Sequence, residues 1–427
     1  MAISSYSNFT KLVMVLMLLN CTQDANGCYY KSIISFGDSL ADTGNLKEEL
    51  AWKPKAQQYH FFLPPYGETF FHKPTGRCSN GRLIIDFIVS VISDCSFAFA
   101  FTLQTVHQLR LYLHNNPSAE NFGMPFIPPF EVVRTNGDEQ KVHGVNFAVI
   151  GATALNASFH EARGVANPFT NASLGVQMQW FKELMPSLYG TPSECKKFLQ
   201  SSLILMGEIG GNDYNHGVIS GKPIDVLKPY VPLVINTITS SIYELIDLGA
   251  ETIVVPGNLP IGCSSAYLTV YYGKDGVEYD NTTGCMTALN KFSEWHNELL
   301  QTSLIQIREA HPNVNIFYAD YNNAAMQFYR NPEKYGFTNG ALKACCGGGG
   351  PYNYNPIIQC ADPSSTTCAQ PETYANWDGL HLTQTAYQAI YNSVFHGTFT
   401  TPRFTSVCHT SNAQVRDTAA SRLVQSL

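Results

Sequence analysis

The sequence predicts an α/β fold, built as a doubly wound parallel sheet of about five strands with helices on both faces. Three observations support this prediction. Short apolar, β-branched runs recur along the chain, stretches with helical periodicity lie between them, and no internal repeat or long low-complexity linker divides the chain. With 427 residues, 44% of them apolar and 14% charged, the chain can bury a sizeable core. We therefore expect one large domain over residues 28–409.

The predicted strands are the short apolar runs at 32–36, 145–150, 203–206, 252–255 and 314–318. Helical periodicity is clearest at 227–248 and 289–310. In parallel sheets of this kind, ligands bind in the loops that follow the carboxyl ends of the strands. Those loops are therefore where candidate functional residues are expected.

Residues 1–27 have the layout of a secretory signal peptide. Lys11 precedes the apolar run 12–19, and polar and small residues follow up to position 27. The run is too short to span a bilayer, so no stable membrane anchor is expected, and a short buried helix is the alternative. Glycosylation sequons at Asn156, Asn171 and Asn281 agree with a secreted protein. Residues 410–427 form a polar tail.

The cysteines predict disulfides and no metal site. Of the 12 cysteines, Cys21 lies in the predicted signal peptide, which leaves the odd number of eleven. Paired C-x-x-C units with nearby histidines are missing from the sequence, and an exported protein meets an oxidising compartment. Cys263 with Cys285, and Cys345 or Cys346 with Cys360 and Cys368, bracket loop-rich stretches that would gain from cross-linking, but the sequence does not fix the connectivity.

The formal net charge of -7 argues against nucleic-acid binding. Lysine and arginine occur in no run longer than a pair, so the chain offers no basic stripe for a phosphate backbone or an anionic membrane.

Ser39 is the candidate nucleophile. The first predicted strand runs directly into Gly37, Asp38 and Ser39, which places the serine where a strand ends and a helix is expected to begin. A helix N-terminus beside the hydroxyl would favour developing negative charge. The alternative is a strand-to-turn corner, where Gly, Asp and Ser occur for reasons of backbone geometry alone.

Asp378 and His381 are the candidate acid-base pair. A serine hydroxyl needs a base, and the base needs a group that holds it. The three-residue spacing lets Asp378 accept from Nδ1 of His381, so that Nε2 faces Ser39. A merely hydrogen-bonded loop pair is the alternative.

Two further strand ends supply candidate donors for an oxyanion. Gly151 ends the second predicted strand, and Asn212 follows the third. Each has a simpler explanation, since a glycine allows a tight turn and Asn212 could cap a helix.

Four ordered blocks resemble those of plant GDSL esterases/lipases, the SGNH hydrolases. They are residues 36–45 (FGDSLADTGN), 144–155 (GVNFAVIGATAL), 210–213 (GGND) and 378–381 (DGLH). Supporting stretches lie at 65–70, 76–82, 255–263 and 345–354, and the resemblance runs from about residue 30 to 395. In character the chain resembles family members of the sinapine esterase and acetylajmalan esterase kind.

This resemblance implies a flavodoxin-like SGNH-hydrolase fold and a cofactor-free, monomeric enzyme with a small-molecule ester substrate. It implies that Ser39 is the nucleophile, that Asp378 and His381 complete a triad, and that the oxyanion hole consists of Ser39 N–H, Gly151 N–H and the Asn212 amide. A plant protein with a signal peptide would reach the apoplast, the cell wall or the vacuole. Acyl transfer to an alcohol, or binding without catalysis on the same fold, are the alternatives.

The chain departs from the family pattern at 89–118. After residues 81–88 (GRLIIDFI), the family would continue almost at once into 119–129 (AENFGMPFIPP). We predict that 89–118 is a translated intron or a similar gene-model insertion, since removing it also removes Cys95 and leaves ten mature cysteines. A genuine lid over the substrate site is the alternative.

Overall fold

The computed structural model describes residues 30–52, 59–89, 126–136 and 144–404. The predicted signal peptide at 1–27, nearly all of the predicted insertion at 89–118 and the predicted tail at 410–427 lie outside the described residues.

Ten strands are present in the described residues. In chain order they are β1 (Ser32–Ser35), β2 (Gly144–Asn146), β3 (Ser202–Leu205), β4 (Thr252–Pro256), β5 (Asn315–Ala319), β6 (Gly340–Ala344), β7 (Cys346–Gly347), β8 (Thr366–Thr367), β9 (Tyr374–Asn376) and β10 (Thr400–Thr401).

The helices alternate with the strands of the central sheet. They are α1 (Asn45–Leu50), α2 (Phe130–Asn136), α3 (Ala157–Glu161), α4 (Leu174–Tyr189), α5 (Pro192–Gln200), α6 (Gly211–Ile219), α7 (Ile224–Leu227), α8 (Val231–Leu248), α9 (Ser265–Val270), α10 (Thr287–Ala310), α11 (Tyr321–Arg330) and α12 (Gln384–Tyr391). Residues 84–89 are also helical.

The central sheet confirms the predicted fold class. Its strand order is β10-β5-β4-β3-β1-β2, and the five strands β1 to β5 run parallel. The order 2-1-3-4-5 is that of flavodoxin-like sheets, in which the crevice between β1 and β3 is the usual ligand site. The edge strand β10 pairs antiparallel with β5 and was not predicted, because two residues carry no periodic signal.

The second predicted strand, 145–150, is wrong in its second half. β2 ends at Asn146, because the Asn146 side chain turns back and its Nδ2 donates to Ala41 O at 2.6 Å. The chain beyond it still follows the loop after β1, since Phe147 N donates to Ser35 O and Val149 N to Gly37 O. The apolar run therefore continues past the end of the regular strand.

Alternating side chains of the strands face two separate cores. On β4, Ile253 and Val255 pack into one core, whereas Val254 points into the other. The first core is closed by α4, α8 and α10, and the second by helical residues 84–89, α11 and α12. Burial on both faces explains why the strands are continuous apolar runs.

Three disulfides cross-link loops within the described residues, and one of them lies beside the cavity at the carboxyl ends of the strands. Cys263 pairs with Cys285, Cys345 with Cys368 and Cys346 with Cys360, which gives the connectivity that the sequence left open. The thiols of Cys78 and Cys195 are free. The assumption that the mature cysteines all pair is therefore wrong for these two, whereas the parity argument about residues 89–118 is unchanged, because taking two free thiols from the eleven still leaves an odd number.

A buried ion pair fixes the segment 59–83, which follows α1. Arg77 forms a bidentate salt bridge with Asp86, with Nε–Oδ2 at 2.8 Å and Nη2–Oδ1 at 2.7 Å. Both side chains are almost fully buried. Arg77 also stacks on the Phe71 ring at 4.6 Å. A paired and hydrogen-bonded charge of this kind is costly to break, so it holds the segment in one geometry against the helical residues 84–89.

No helix in the described part of the chain has both the length and the apolar composition needed to cross a bilayer.

Candidate active site

Ser39 lies in a tight turn directly after β1. The Asp38 carbonyl accepts from the N–H groups of Ala41 and Asp42, at 3.1 and 2.9 Å, and this closes one turn around the serine. The prediction that a helix begins at Ser39 is wrong, because α1 starts only at Asn45. Its first N–H groups point at Asp42 Oδ1, which accepts from Gly44 N at 2.7 Å and from Asn45 N at 2.6 Å. The positive end of the α1 helix dipole therefore interacts with the Asp42 carboxylate.

Asp378 and His381 share a short loop between β9 and α12. The loop is closed at its base, where Trp377 N donates to His381 O at 2.8 Å. Asp378 Oδ1 accepts from the N–H groups of Leu380 and His381, both at 2.8 Å. Gly379 O accepts from Ser264 Oγ at 2.6 Å, which ties the loop to α9. The carboxylate is thus held by the loop that also carries the imidazole.

The three predicted catalytic side chains form a continuous chain of hydrogen bonds. His381 Nε2 is 2.9 Å from Ser39 Oγ. His381 Nδ1 is 2.8 Å from Asp378 Oδ2 and 3.0 Å from Oδ1. Because the carboxylate can only accept, Nδ1 carries the proton, and Nε2 is free to accept from the serine hydroxyl.

The electrostatic interaction between Asp378 and His381 shifts the pKa of each group. Burial alone raises the pKa of Asp378, but the facing His381 and the hydrogen bonds from His381 and Leu380 outweigh it, so this pKa lies well below its ordinary value. Burial alone lowers the pKa of His381, and the Asp378 carboxylate outweighs it, so the pKa of the imidazole lies above its ordinary value. Asp378 is therefore charged whenever His381 titrates.

The backbone N–H groups of the predicted oxyanion donors Ser39 and Gly151 are both unengaged. Among the described residues, neither Ser39 N–H nor Gly151 N–H donates to a protein acceptor, and both residues line the same cavity. Gly151 has a φ of +80°, and a Cβ atom there would lie 2.8 Å from the Phe169 ring. Only glycine fits this backbone position, which explains the residue at the end of the 147–150 segment.

Asn212 reaches the same rim from the first turn of α6, but its amide is already engaged. Its Nδ2 donates to Asp38 Oδ2 at 3.1 Å and to Ala152 O at 3.0 Å. Its Oδ1 accepts from Asn215 Nδ2 at 3.3 Å. In this structure both amide hydrogens of Asn212 are used within the protein.

Asp38 and Glu208 form a buried acidic pair beside Ser39. Asp38 N donates to Glu208 O at 2.9 Å, and Glu208 Oε2 is buried without a hydrogen-bond partner. Burial raises the pKa of Asp38 to about 7, although the N–H of Leu40 acts against it. Burial, followed by the charge of Asp38, raises the pKa of Glu208 well above its ordinary value. Burial in the cavity wall thus favours the neutral form of the Glu208 carboxyl.

The serine opens onto one cavity of about 370 Å³. Its walls are mostly apolar and aromatic and include Phe61, Phe169, Tyr267, Tyr354 and Ile358. The loop closed by the Cys346–Cys360 disulfide supplies one side of the cavity. Such a cavity suits a small molecule with a substantial apolar part.

Two histidines of the cavity wall stay neutral. Burial lowers the pKa of His60 to about 4 and also lowers that of His216. His216 Nε2 donates to Gly151 O at 3.2 Å, so this imidazole supports the glycine loop. Within the described residues, no group of three or more His, Cys, Asp or Glu is arranged to hold a metal ion.

Sequence reasoning missed two residues that organise the site. Asp42 links α1 to the loop that carries Gly151, because its Oδ2 accepts from Ile150 N at 2.9 Å. Tyr66 donates from its hydroxyl to Asp378 Oδ2 at 2.7 Å. Both residues lie inside the quoted motifs, at 36–45 and 65–70, but no spacing rule connects either of them to its distant partner.

The three sequon asparagines are exposed. Asn156, Asn171 and Asn281 all lie on the surface, outside the cavity wall. Their exposure leaves each amide accessible to modification.

Comparison with known proteins identifies the family. The family model described as GDSL-like Lipase/Acylhydrolase matches residues 33–394. This chain belongs to that family. One Arabidopsis thaliana protein named a GDSL esterase/lipase is 45% identical over 398 residues, which is 93% of each chain. A second Arabidopsis thaliana protein with the same family name is 46% identical over 382 residues, covering 90% of this chain and 88% of the relative.

The matched GDSL domain spans all four sequence blocks that carried the resemblance, so the family prediction is confirmed. A third Arabidopsis thaliana GDSL esterase/lipase is 45% identical over 380 residues, 89% of this chain and 87% of its own length. The names of these relatives specify no substrate. The similarity to sinapine and acetylajmalan esterases therefore stays a prediction.

Proposed function

We propose that this GDSL-family protein hydrolyses carboxylic esters through an acyl-enzyme on Ser39. The observation that carries the proposal is the hydrogen-bonded sequence Ser39–His381–Asp378, with contacts of 2.9 and 2.8 Å, at the mouth of an apolar cavity. The names of the relatives, GDSL esterase/lipase, agree with this reaction.

The reaction follows from the positions of the protons. Ser39 Oγ attacks the ester carbonyl carbon while its proton passes to His381 Nε2, and the carbonyl oxygen becomes an oxyanion. The tetrahedral adduct collapses, the bond to the alcohol oxygen breaks, and the imidazolium returns the proton to that oxygen. Water then repeats the sequence on the acyl-enzyme, which releases the acid and restores Ser39. Asp378 remains charged throughout and stabilises the imidazolium.

The oxyanion would be stabilised by Ser39 N–H, Gly151 N–H and the amide of Asn212. The two backbone donors need no rearrangement, because neither has a protein acceptor among the described residues. The Asn212 amide has to turn one N–H away from Asp38 or Ala152 O. The Asn212 amide would then contribute fully only when negative charge develops on the substrate oxygen. An interaction of this kind lowers the activation barrier, because it is stronger in the transition state than in the bound substrate.

We further propose that the enzyme is secreted, monomeric and glycosylated at Asn156, Asn171 and Asn281. The three disulfides suit an oxidising compartment, and the sequon asparagines are exposed. The apolar walls of the cavity favour a small-molecule ester with a large apolar or aromatic portion.

The Ser39→Ala variant tests the proposal. The hydroxyl contributes no core packing, so the variant should keep its thermal unfolding midpoint and lose hydrolysis of a panel of small esters. Substantial hydrolysis by the folded variant would contradict the acyl-enzyme. Product analysis with an added alcohol separates the two acceptor classes, since free acid indicates hydrolysis and a new ester indicates acyl transfer. A binding protein without catalysis would give neither product and would not react with a fluorophosphonate.

We also propose that residues 89–118 are no part of the natural enzyme. The support is the family pattern, which joins Ile88 to Ala119 without a break. Deletion of 89–118 should improve secretion and leave ester hydrolysis unchanged. Lost activity or a changed ester preference in the folded deletion variant would instead show a lid.

A further inference from the structure

Asp378 is held from two sides, and only one of them belongs to its own loop. Oδ1 accepts two backbone N–H groups of that loop, from Leu380 and His381. Oδ2 accepts from His381 Nδ1 at 2.8 Å and from Tyr66 Oη at 2.7 Å. Tyr66 comes from the segment 59–83, 312 residues away along the chain.

The Tyr66 hydroxyl is fixed by its surroundings. Its side chain is completely buried, and its ring packs edge-on against Trp377 at 5.7 Å between centroids. On the backbone, Tyr66 N donates to Leu63 O, and the next N–H, of Gly67, donates to Ser79 O. A rigid ring of this kind presents its O–H to one acceptor only.

Tyr66 stays a donor over the working pH range. Burial, followed by the charge of Asp378, raises the pKa of Tyr66 well above its ordinary value. A protonated phenol facing a carboxylate makes a charge-assisted hydrogen bond, which is stronger than one between neutral groups.

Without the hydroxyl, Oδ2 would keep only the contact with His381, and the carboxylate could rotate relative to the imidazole. By donating to the carboxylate, the hydroxyl also stabilises its negative charge. Asp378 then stabilises the His381 imidazolium less strongly. Tyr66 does not line the cavity, so none of these effects involves contact with substrate.

We propose that Tyr66 is a positioning residue of the catalytic machinery, which aligns the Asp378 carboxylate with His381 and restrains its basicity. The proposal rests on the function of the Ser39–His381–Asp378 triad. A buried tyrosine that only stabilises the fold would contribute to stability and leave the titration of His381 unchanged.

The test compares Tyr66→Phe with Tyr214→Phe. Tyr214 is another buried tyrosine, whose hydroxyl contacts His296 Nδ1 at 2.8 Å, away from the triad. Tyr66→Phe should lower kcat on the order of tenfold with little change in KM, and should move the acid limb of the kcat/KM profile to higher pH. Tyr214→Phe should lower only the unfolding midpoint. A Tyr66→Phe enzyme with wild-type kcat and pH profile would overturn the proposal.

Two further measurements keep the test decisive. In an Asp378→Ala background the Tyr66→Phe change should have almost no further effect on kcat, because the hydroxyl acts through Asp378. If Tyr66→Phe does not fold, 3,5-difluorotyrosine at position 66 replaces it. This more acidic phenol should shift the acid limb to lower pH, and an unshifted limb would overturn the proposal.

Failure of the triad itself would be seen separately. Ser39→Ala, assayed beside these variants, should be inactive. An active Ser39→Ala enzyme would reject the proposed function. An inactive one together with a wild-type-like Tyr66→Phe would reject only the role of Tyr66.

Discussion

Asp213 and His160 form a second aspartate–histidine pair, with geometry close to that of Asp378 and His381. His160 Nε2 is 3.0 Å from Asp213 Oδ1, whereas His381 Nδ1 is 2.8 Å from Asp378 Oδ2. Both carboxylates also accept two backbone N–H groups. For Asp213 these belong to Ala154 and Leu155, at 2.7 and 3.0 Å. The two pairs differ in what lies on the far side of the imidazole.

The far nitrogen of His160, Nδ1, is buried and has no hydrogen-bond partner among the described residues. The ring packs against Phe159 and Tyr230, with centroids 5.3 and 6.2 Å apart. The far nitrogen of His381 meets Ser39 Oγ at the cavity wall. An aspartate–histidine contact is thus a general way to fix a loop, and it becomes catalytic only where a nucleophile and space for substrate adjoin it.

The pair of Asp213 and His160 still supports the proposed catalytic site. Asp213 follows Asn212 in α6 and anchors the N–H groups of Ala154 and Leu155, three and four residues beyond Gly151. One turn of α6 therefore presents a candidate oxyanion donor and also holds the loop that carries another. The adjacent Asn-Asp of the 210–213 block combines these two tasks.

Replacing His381 and His160 separately should have different effects on activity and on stability. His381→Ala removes the general base, and we expect a loss in kcat of about 10⁴-fold, since members of a triad act as a unit. His160→Ala leaves Asp213 without one partner and should cost about 1–3 kcal/mol of folding free energy with nearly unchanged kcat. Steady-state kinetics and thermal unfolding of both variants measure this. A kcat lost equally in both would contradict the distinction.

The neighbours Asn212 and Asp213 give a sharper comparison within one helical turn. Asn212→Ala should lower kcat on the order of 100-fold with a smaller effect on KM, because its amide acts on charge that exists only in the transition state. Asp213→Ala should chiefly lower the unfolding midpoint. If Asn212→Ala raised KM alone, Asn212 would be a substrate-binding residue.

The smallest expected effect is on the pH profile. His381 must be neutral to accept the serine proton, and Asp378 raises its pKa above the ordinary 6.5. The kcat/KM should therefore rise with pH, with a midpoint above 6.5. Asp378→Asn removes the charge, so its residual activity should titrate at lower pH. A rate that fell between pH 5 and 7 would contradict the role of His381.

Much of this site follows from the sequence because its residues end strands of one parallel sheet. Ser39, Gly151 and Asn212 follow β1, β2 and β3, and such ends meet at one rim. What the sequence does not show are contacts made by loops. Tyr66 reaches Asp378 from the segment 59–83, which the buried pair of Arg77 and Asp86 helps to hold in place.

The errors have a similar origin. The helix expected at Ser39 is delayed to Asn45, because the Asp38 carbonyl closes an isolated turn first. The assumption that all mature cysteines pair failed because Cys78 is an unpaired thiol buried beside His381. Both depend on tertiary surroundings that no local pattern describes.

The most direct test of the central claim is to locate the covalent intermediate. The protein is reacted with a fluorophosphonate, digested and analysed by tandem mass spectrometry, beside Ser39→Ala, His381→Ala and His160→Ala. We predict a single adduct on Ser39 in the unaltered protein and in His160→Ala, none in Ser39→Ala, and much slower labelling in His381→Ala. An adduct on a different residue, or rapid labelling without His381, would contradict the account.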